Sequence, residues 1–176
     1  KIWWILRPDI EGDNMKKIGF VGVGIMGKSM VRNLMKAGFE VSIYTRTKSK
    51  VEDVIGEGAI WCDSVAECAK GRDAVISIVG YPKDVIEVYF GPAGILANAD
   101  PGTYVIDMTT TSPKLAVQIF DEAEKLGLHA IDAPVTGGGM IIRIGDRVVD
   151  SSVRTKLYDL TRELSKIQLK AGECAS

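Results

Sequence analysis

Residues 15–30, MKKIGFVGVGIMGKSM, set a short apolar run against three glycines and then an amphipathic pattern. The run KIGFVG reads as a buried strand, and Met26, Met30 and Leu34 follow at four-residue spacing with Val31 and Met35 beside them, which predicts a helix. Gly22, Gly24 and Gly27 fill the junction with GxGxxG spacing. At such a junction the first glycine makes the tight turn, the second lets backbone approach a pyrophosphate, and the third lets helix and strand pack closely. The first helical turn adds unpaired N–H groups and a partial positive charge. A glycine-rich turn with no ligand is the plain alternative. Dinucleotide binding is favoured by the strand before the turn, the helix after it, and four further β-α units in register. Gly22, Val23, Gly24, Ile25, Met26 and Gly27 are therefore candidate cofactor-binding residues.

Outward from this turn, short Val- and Ile-rich runs alternate with helical segments. Strands are expected at about 17–22, 40–44, 59–61, 73–79, 103–107 and 128–132. Gly38 stands where the first helix needs a left-handed C-terminal cap. A later helix has Ser112 as N-cap and Pro113 at its first position, carries Leu115, Ile119, Phe120, Ala123 and Leu126 on one face, and stops at Gly127. YPKDVIEVYF places Val85, Val88 and Tyr89 on one helical face, with Gly91-Pro92 ending it. Strands alternating with helices imply an α/β fold, a Rossmann-like doubly wound and mostly parallel sheet covered on both sides. No repeat or low-complexity tract interrupts it.

With 176 residues, 46% apolar and 26% charged, the chain can bury one core, and its net charge of -1 gives no bias toward polyanions. Nucleic acid is not an expected partner. Cys62, Cys68 and Cys174 form no CxxC pair and have no histidine at metal spacing, so neither a disulfide framework nor a metal site is expected and a cytoplasmic location fits. Cys62 and Cys68 read as core or edge filling, and His129, the only histidine, as a half-buried strand residue. IWWIL is far shorter than the roughly 20 residues a membrane-spanning helix needs. Residues 1–14 differ in character from the rest of the chain and read as an unstructured leader, with Met15 the expected natural start. Residues 15–150 form the expected NADP-binding domain. Residues 151–176 form a divergent segment whose stretch 154–169 carries Leu157, Leu160, Leu164 and Ile167 as a helical stripe.

The second strand bears on which dinucleotide is bound. An NAD site usually places an acid about 20 residues past the glycines, for the ribose hydroxyls. Here YTRTKSK follows the strand, with Arg46, Lys48 and Lys50 and no carboxylate between Val41 and Val51. Arg46, with Thr45 and Thr47 as hydroxyl donors, suits a 2'-phosphate, so NADP is expected over NAD. A solvated basic loop is the alternative.

Together, GFVGVGIMGKSM, YTRTKSK, VGYPKDVIEVYFGPAGIL, DMTTTSP and DAPVTGG resemble, in order and spacing from Met15 to Gly138, the β-hydroxyacid dehydrogenase family. That family includes 3-hydroxyisobutyrate dehydrogenases and glyoxylate or succinic semialdehyde reductases. DAPVTGG is the most specific of the five. The resemblance implies that Val79 and Gly80 lie against the cofactor and that Thr110 is the nicotinamide-side hydroxyl. It also implies that Thr136, Gly137 and Gly138 hold a substrate carboxylate. For Thr110 the alternative is a turn-forming hydroxyl, and for Thr136 a loop stiffened by Pro134 without a ligand. Asp132 is expected to order its loop rather than move protons.

Past Gly138 the similarity fades, through divergence, a frame error or truncation. The family's catalytic Lys, with an Asn about four residues later, has no counterpart here. Lys166 and Lys170 lack that setting and read as solvated helix-end cations. No residue of this chain is therefore a candidate catalytic acid. The resemblance implies an NADP-dependent oxidoreductase, or its cofactor-binding part, acting on a small carboxylate-bearing 3-hydroxy acid or its semialdehyde or keto acid. The helical C-terminal domain is expected to be absent, with homo-oligomers only in the full-length form and little activity from this chain alone. Two other readings stand beside it: an inactive dinucleotide-binding sensor or scaffold, and a fragment without function.

Overall fold

The structure, a computed structural model, describes residues 15–110, 112–136 and 139–140. The first strand and helix are β1 (Lys17–Val21) and α1 (Ile25–Lys36), followed by β2 (Glu40–Tyr44), α2 (Glu52–Gly56), β3 (Ile60–Trp61), α3 (Val65–Ala69) and β4 (Ala74–Ser77). Then come α4 (Pro82–Phe90), α5 (Ile95–Asn98), β5 (Tyr104–Asp107), α6 (Pro113–Lys125), β6 (His129–Asp132) and a short pair, β7 (Val135–Thr136) and β8 (Gly139–Met140). Strands β1 to β6 form one parallel sheet in the order β3-β2-β1-β4-β5-β6, and β7 pairs antiparallel with β8. This is the Rossmann arrangement expected from the alternating pattern. The order reverses between β1 and β4, and open α/β sheets bind ligands at such a switch point, beyond the strands' C-terminal ends.

Two apolar layers sandwich the sheet. On one face Met30, Val31 and Leu34 of α1 and Val54 of α2 pack on Ile18, Phe20, Val41, Ile43 and Ile76. On the other, Cys68 of α3, Val85, Val88 and Tyr89 of α4, Ile95 of α5 and Leu115 and Ile119 of α6 pack on Val21, Val75 and Val105. Strand side chains alternate between the layers, which is why the strand interiors are mostly apolar on both faces.

Helix ends follow the chemistry expected of them. The N–H of Gly38 bonds Met35 O at 2.9 Å and that of Phe39 bonds Leu34 O at 3.2 Å; Gly127 and Leu128 close α6 on Glu124 and Ala123 in the same way. Ser112 Oγ accepts the Leu115 N–H, with Pro113 at the first helical position. Cys62 and Cys68 are free thiols buried in the core.

Several expectations need correction. Met26 does not extend the buried stripe of α1: it is 45% exposed because it sits in the first turn, beyond the sheet edge. Leu126 is the C-cap of α6, where the chain turns away, and is likewise exposed. His129 is exposed rather than half-buried, its ring 4.9 Å from that of Tyr104 on β5. The strands are also shorter than the apolar runs, which continue into loops at the C-terminal edge. The expected helix at 154–169 and the leader at 1–14 lie outside the described residues.

Gly19 went unnoticed in the sequence. A Cβ there would overlap the Cys68 carbonyl oxygen, so α3 can lie on β1 only because this strand position has no side chain. Gly19→Ala is expected to destabilise the fold by about 1–3 kcal/mol. Denaturant unfolding measures this, and an unchanged midpoint would mean that α3 yields freely.

Candidate functional site

The turn between β1 and α1 is fixed from both sides. Gly22 has φ +93°, donates to Tyr44 O of β2 at 2.9 Å, and lies so close to Ile78 O that a side chain would collide with it. A Cβ on Gly27 would come within 2.6 Å of Gly22 O and 3.2 Å of the Phe20 ring. These two glycines are thus required by the protein's own packing. Gly24 differs: among the described residues a Cβ there would meet nothing within 4 Å. Gly24 is the N-cap of α1, with no side-chain cap and no acid in the first turn. Space and unpaired N–H groups remain at that helix end, which is what an anion needs. Val23 is buried in the core, so only its backbone is offered, whereas Ile25 is 92% exposed beside Met26.

On the β2 side, Thr45 is half-buried, Arg46 and Thr47 are exposed, and Thr47 O begins a short 3-10 turn by accepting from Lys50 N at 3.2 Å. Lys48 Nζ lies 5.3 Å from the centre of the Trp61 ring. Arg46 is not a free cation. Its Nη2 donates to Asp84 Oδ1 at 2.7 Å and to Glu87 Oε2 at 3.2 Å, both on α4. The guanidinium holds the Asp84 carboxyl below its usual range, with burial opposing. Lys28 and Arg32 of α1 are likewise engaged, with Asp53 and Glu57.

Three loops complete the edge. Val79 is half-buried and Gly80 exposed after β4; the Val79 N–H donates to Thr109 Oγ1 at 3.0 Å, joining the β4 and β5 loops. Thr110 Oγ1 donates to Val135 O at 3.2 Å, joining the β5 loop to β7. The backbone of Thr136 pairs with Gly139, while Gly137 and Gly138 lie outside the described residues. Below the loops, Ser77 Oγ donates to Asp107 Oδ1 at 3.0 Å and lies 3.0 Å from the Tyr89 hydroxyl. Asp107 Oδ1 also accepts the Thr109 N–H at 3.0 Å. Oδ2 is buried without a hydrogen-bond partner, and burial pushes this carboxyl up to about 6.

Gly22–Gly27, Thr45–Thr47, Val79–Gly80, Thr110 and Thr136 thus all follow C-terminal strand ends on one edge of the structure. Asp84, Thr109 and the Ser77–Tyr89–Asp107 set were missed. Only Asp84 carried a signal, as an acid two residues after a Pro in a predicted first turn, where a carboxylate complements the helix N-terminus. Among the described residues no cluster of His, Cys, Asp or Glu fits a metal, and no helix is long and apolar enough to cross a membrane.

Residues 17–167 match the NAD binding domain of 6-phosphogluconate dehydrogenase, and the chain belongs to that family. It is 52% identical over 123 residues to the uncharacterized oxidoreductase YkwC of Bacillus subtilis, covering 70% of this chain and 43% of that protein. It is 42% identical over 136 residues to probable 3-hydroxyisobutyrate dehydrogenase-like 1, mitochondrial, of Arabidopsis thaliana, covering 77% and 41%. Among solved structures it resembles Mycobacterium tuberculosis 3-hydroxyisobutyrate dehydrogenase with L-serine, at 28% identity and TM-score 0.71, covering 87% and 52%. The resemblance drawn from the motifs is therefore borne out, and the chain spans about half the length of these relatives.

Asp107 yields a pH-dependent expectation. Its folded-state carboxyl is raised to about 6 from 3.8, so between those values the folded chain binds the extra proton and stability falls as pH rises. The loss, complete above pH 6, is up to about 3 kcal/mol. Asp107→Asn cannot ionise, so its stability curve between pH 4 and 6 should lack this downward component. Parallel curves for the two proteins would contradict the assignment.

Proposed function

We propose that this chain is the coenzyme-binding part of an NADP-dependent oxidoreductase acting between a small carboxylate-bearing 3-hydroxy acid and its semialdehyde or keto acid. The observation that carries the reading is the contrast within the glycine turn. Gly22 and Gly27 are demanded by packing, whereas the position of Gly24 is open and faces a helix N-terminus. Among the described residues nothing makes use of the missing side chain there, whereas a bound diphosphate would.

In this reading the backbone N–H groups of Ile25, Met26 and Gly27 hold the pyrophosphate. Arg46, Thr45 and Thr47 meet the 2'-phosphorylated ribose, and Val79 and Gly80 line the groove. Thr110 stands at the nicotinamide end, and Thr136, Gly137 and Gly138 take the substrate carboxylate. The bound coenzyme supplies or accepts the hydride. Reducing a carbonyl also requires a proton for its oxygen, and residues 78–81, 108–110 and 133–136 after β4, β5 and β6 include no Lys, Arg or His. This chain matches less than half the length of the two relatives, and the proton donor is assigned to the part of such a protein that lies outside the match. Acid catalysis is worth roughly 10²–10⁴-fold, and the 176-residue chain should turn over slower by about that factor.

Gly24→Asp separates binding from folding. An aspartate is a favourable N-cap and meets no protein atom, so thermal stability should hold or rise slightly. Its carboxylate would occupy the pyrophosphate position, and affinity for NADPH in a fluorescence titration should fall by about 100-fold or more. Unchanged affinity would remove the proposal.

A further inference from the structure

In the Rossmann order β1 lies between β2 and β4, so a residue after β2 and one on the helix after β4 face each other across the glycine turn. Arg46 and Asp84 are such a pair, and the guanidinium reaches across that gap to Asp84 Oδ1 at 2.7 Å. Asp84 is 6% exposed in the first turn of α4, whereas the Arg46 side chain is 64% exposed. The carboxylate is thus the buried member and the guanidinium the exposed one. A Cβ on Gly80 would lie 3.8 Å from Asp84 Oδ2, so the carboxylate also borders the loop after β4.

We infer that Asp84 is a coenzyme-selectivity residue: it holds and neutralises Arg46 across the cleft and thereby weakens the site's preference for a phosphorylated ribose. This rests on the proposed dinucleotide site. The sequence shows no acid after β2, the mark of a 2'-phosphate site, but the fold returns acids to that place from α4, through Asp84 and through Glu87 at 3.2 Å. Two carboxylates against one guanidinium leave a net negative group where a phosphate dianion would approach. A 2'-phosphate must share Arg46 with Asp84 and tolerate its charge. A ribose 2'-hydroxyl does neither, and the site accepts it without that cost. Asp84 also orders Arg46, which favours both coenzymes, but a 64% exposed side chain gains less from ordering than a dianion loses beside a buried carboxylate.

Asp84→Asn tests this with a side chain of the same shape, and the bond from the Asp84 backbone N–H to Tyr81 O at 2.9 Å in the first turn of α4 does not depend on the substitution. NADPH and NADH are titrated against the wild-type chain, Asp84→Asn, Arg46→Ala and the double variant. Asp84→Asn should bind NADPH roughly threefold to tenfold more tightly, with less than about a twofold change for NADH. In the Arg46→Ala background the same substitution should no longer discriminate between the two. Weaker NADPH binding by Asp84→Asn, an equal shift for both coenzymes, or a selective shift that survives without Arg46 would each overturn the inference and leave the dinucleotide site standing. A wild-type chain that binds neither coenzyme would overturn the site and this inference together.

Discussion

Close backbone contact at the β1–α1 turn is the constraint on which the rest depends. Gly22 is pressed against the Ile78 carbonyl at the end of β4 and bonded to Tyr44 of β2, and Gly27 is pressed against Gly22 itself. Three neighbouring strands therefore share one turn at the point where strand order reverses. That contact sets how α1 leaves the sheet, directs its first N–H groups beyond the edge, and leaves Gly24 with only space among the described residues. A side chain at Gly22 or Gly27 would push α1 off the strands and misdirect the helix end.

The loops around this turn are tied to one another rather than left as independent connections. Thr109 links the β4 and β5 loops, Thr110 links the β5 loop to β7, and Arg46 links the β2 loop to α4. Beneath them the Ser77–Tyr89–Asp107 set joins β4, α4 and β5 through buried hydrogen bonds. A partly satisfied buried carboxyl is unfavourable, and Asp107 answers that by retaining its proton to a higher pH than usual. The edge is thus pre-ordered by short polar bonds on top of an apolar sandwich.

Much of this was legible in the sequence because the signals are local. Strands appear as Val/Ile runs, helix ends as Ser112-Pro113, Gly38 and Gly127, and the turn as GxGxxG, each contained within a few residues. What escaped depends on pairs far apart in the chain. Arg46 and Asp84 are 38 residues apart and Gly19 and Cys68 are 49 apart, so no local pattern shows that they touch. Met26 and Leu126 misled for a related reason: periodicity places a residue on a helix face but does not show where the sheet beneath that face ends. The basic loop after β2 was read as free cations, since charge is visible in a sequence and neutralisation by a distant helix is not.

The central claim, that the open end of α1 holds a diphosphate, is tested most directly by amide-resolved NMR of the chain titrated with NADPH. The largest shifts should fall on the N–H groups of Ile25, Met26 and Gly27. Unmoved signals at those three residues in a protein that demonstrably binds the coenzyme would place the diphosphate elsewhere and contradict the account.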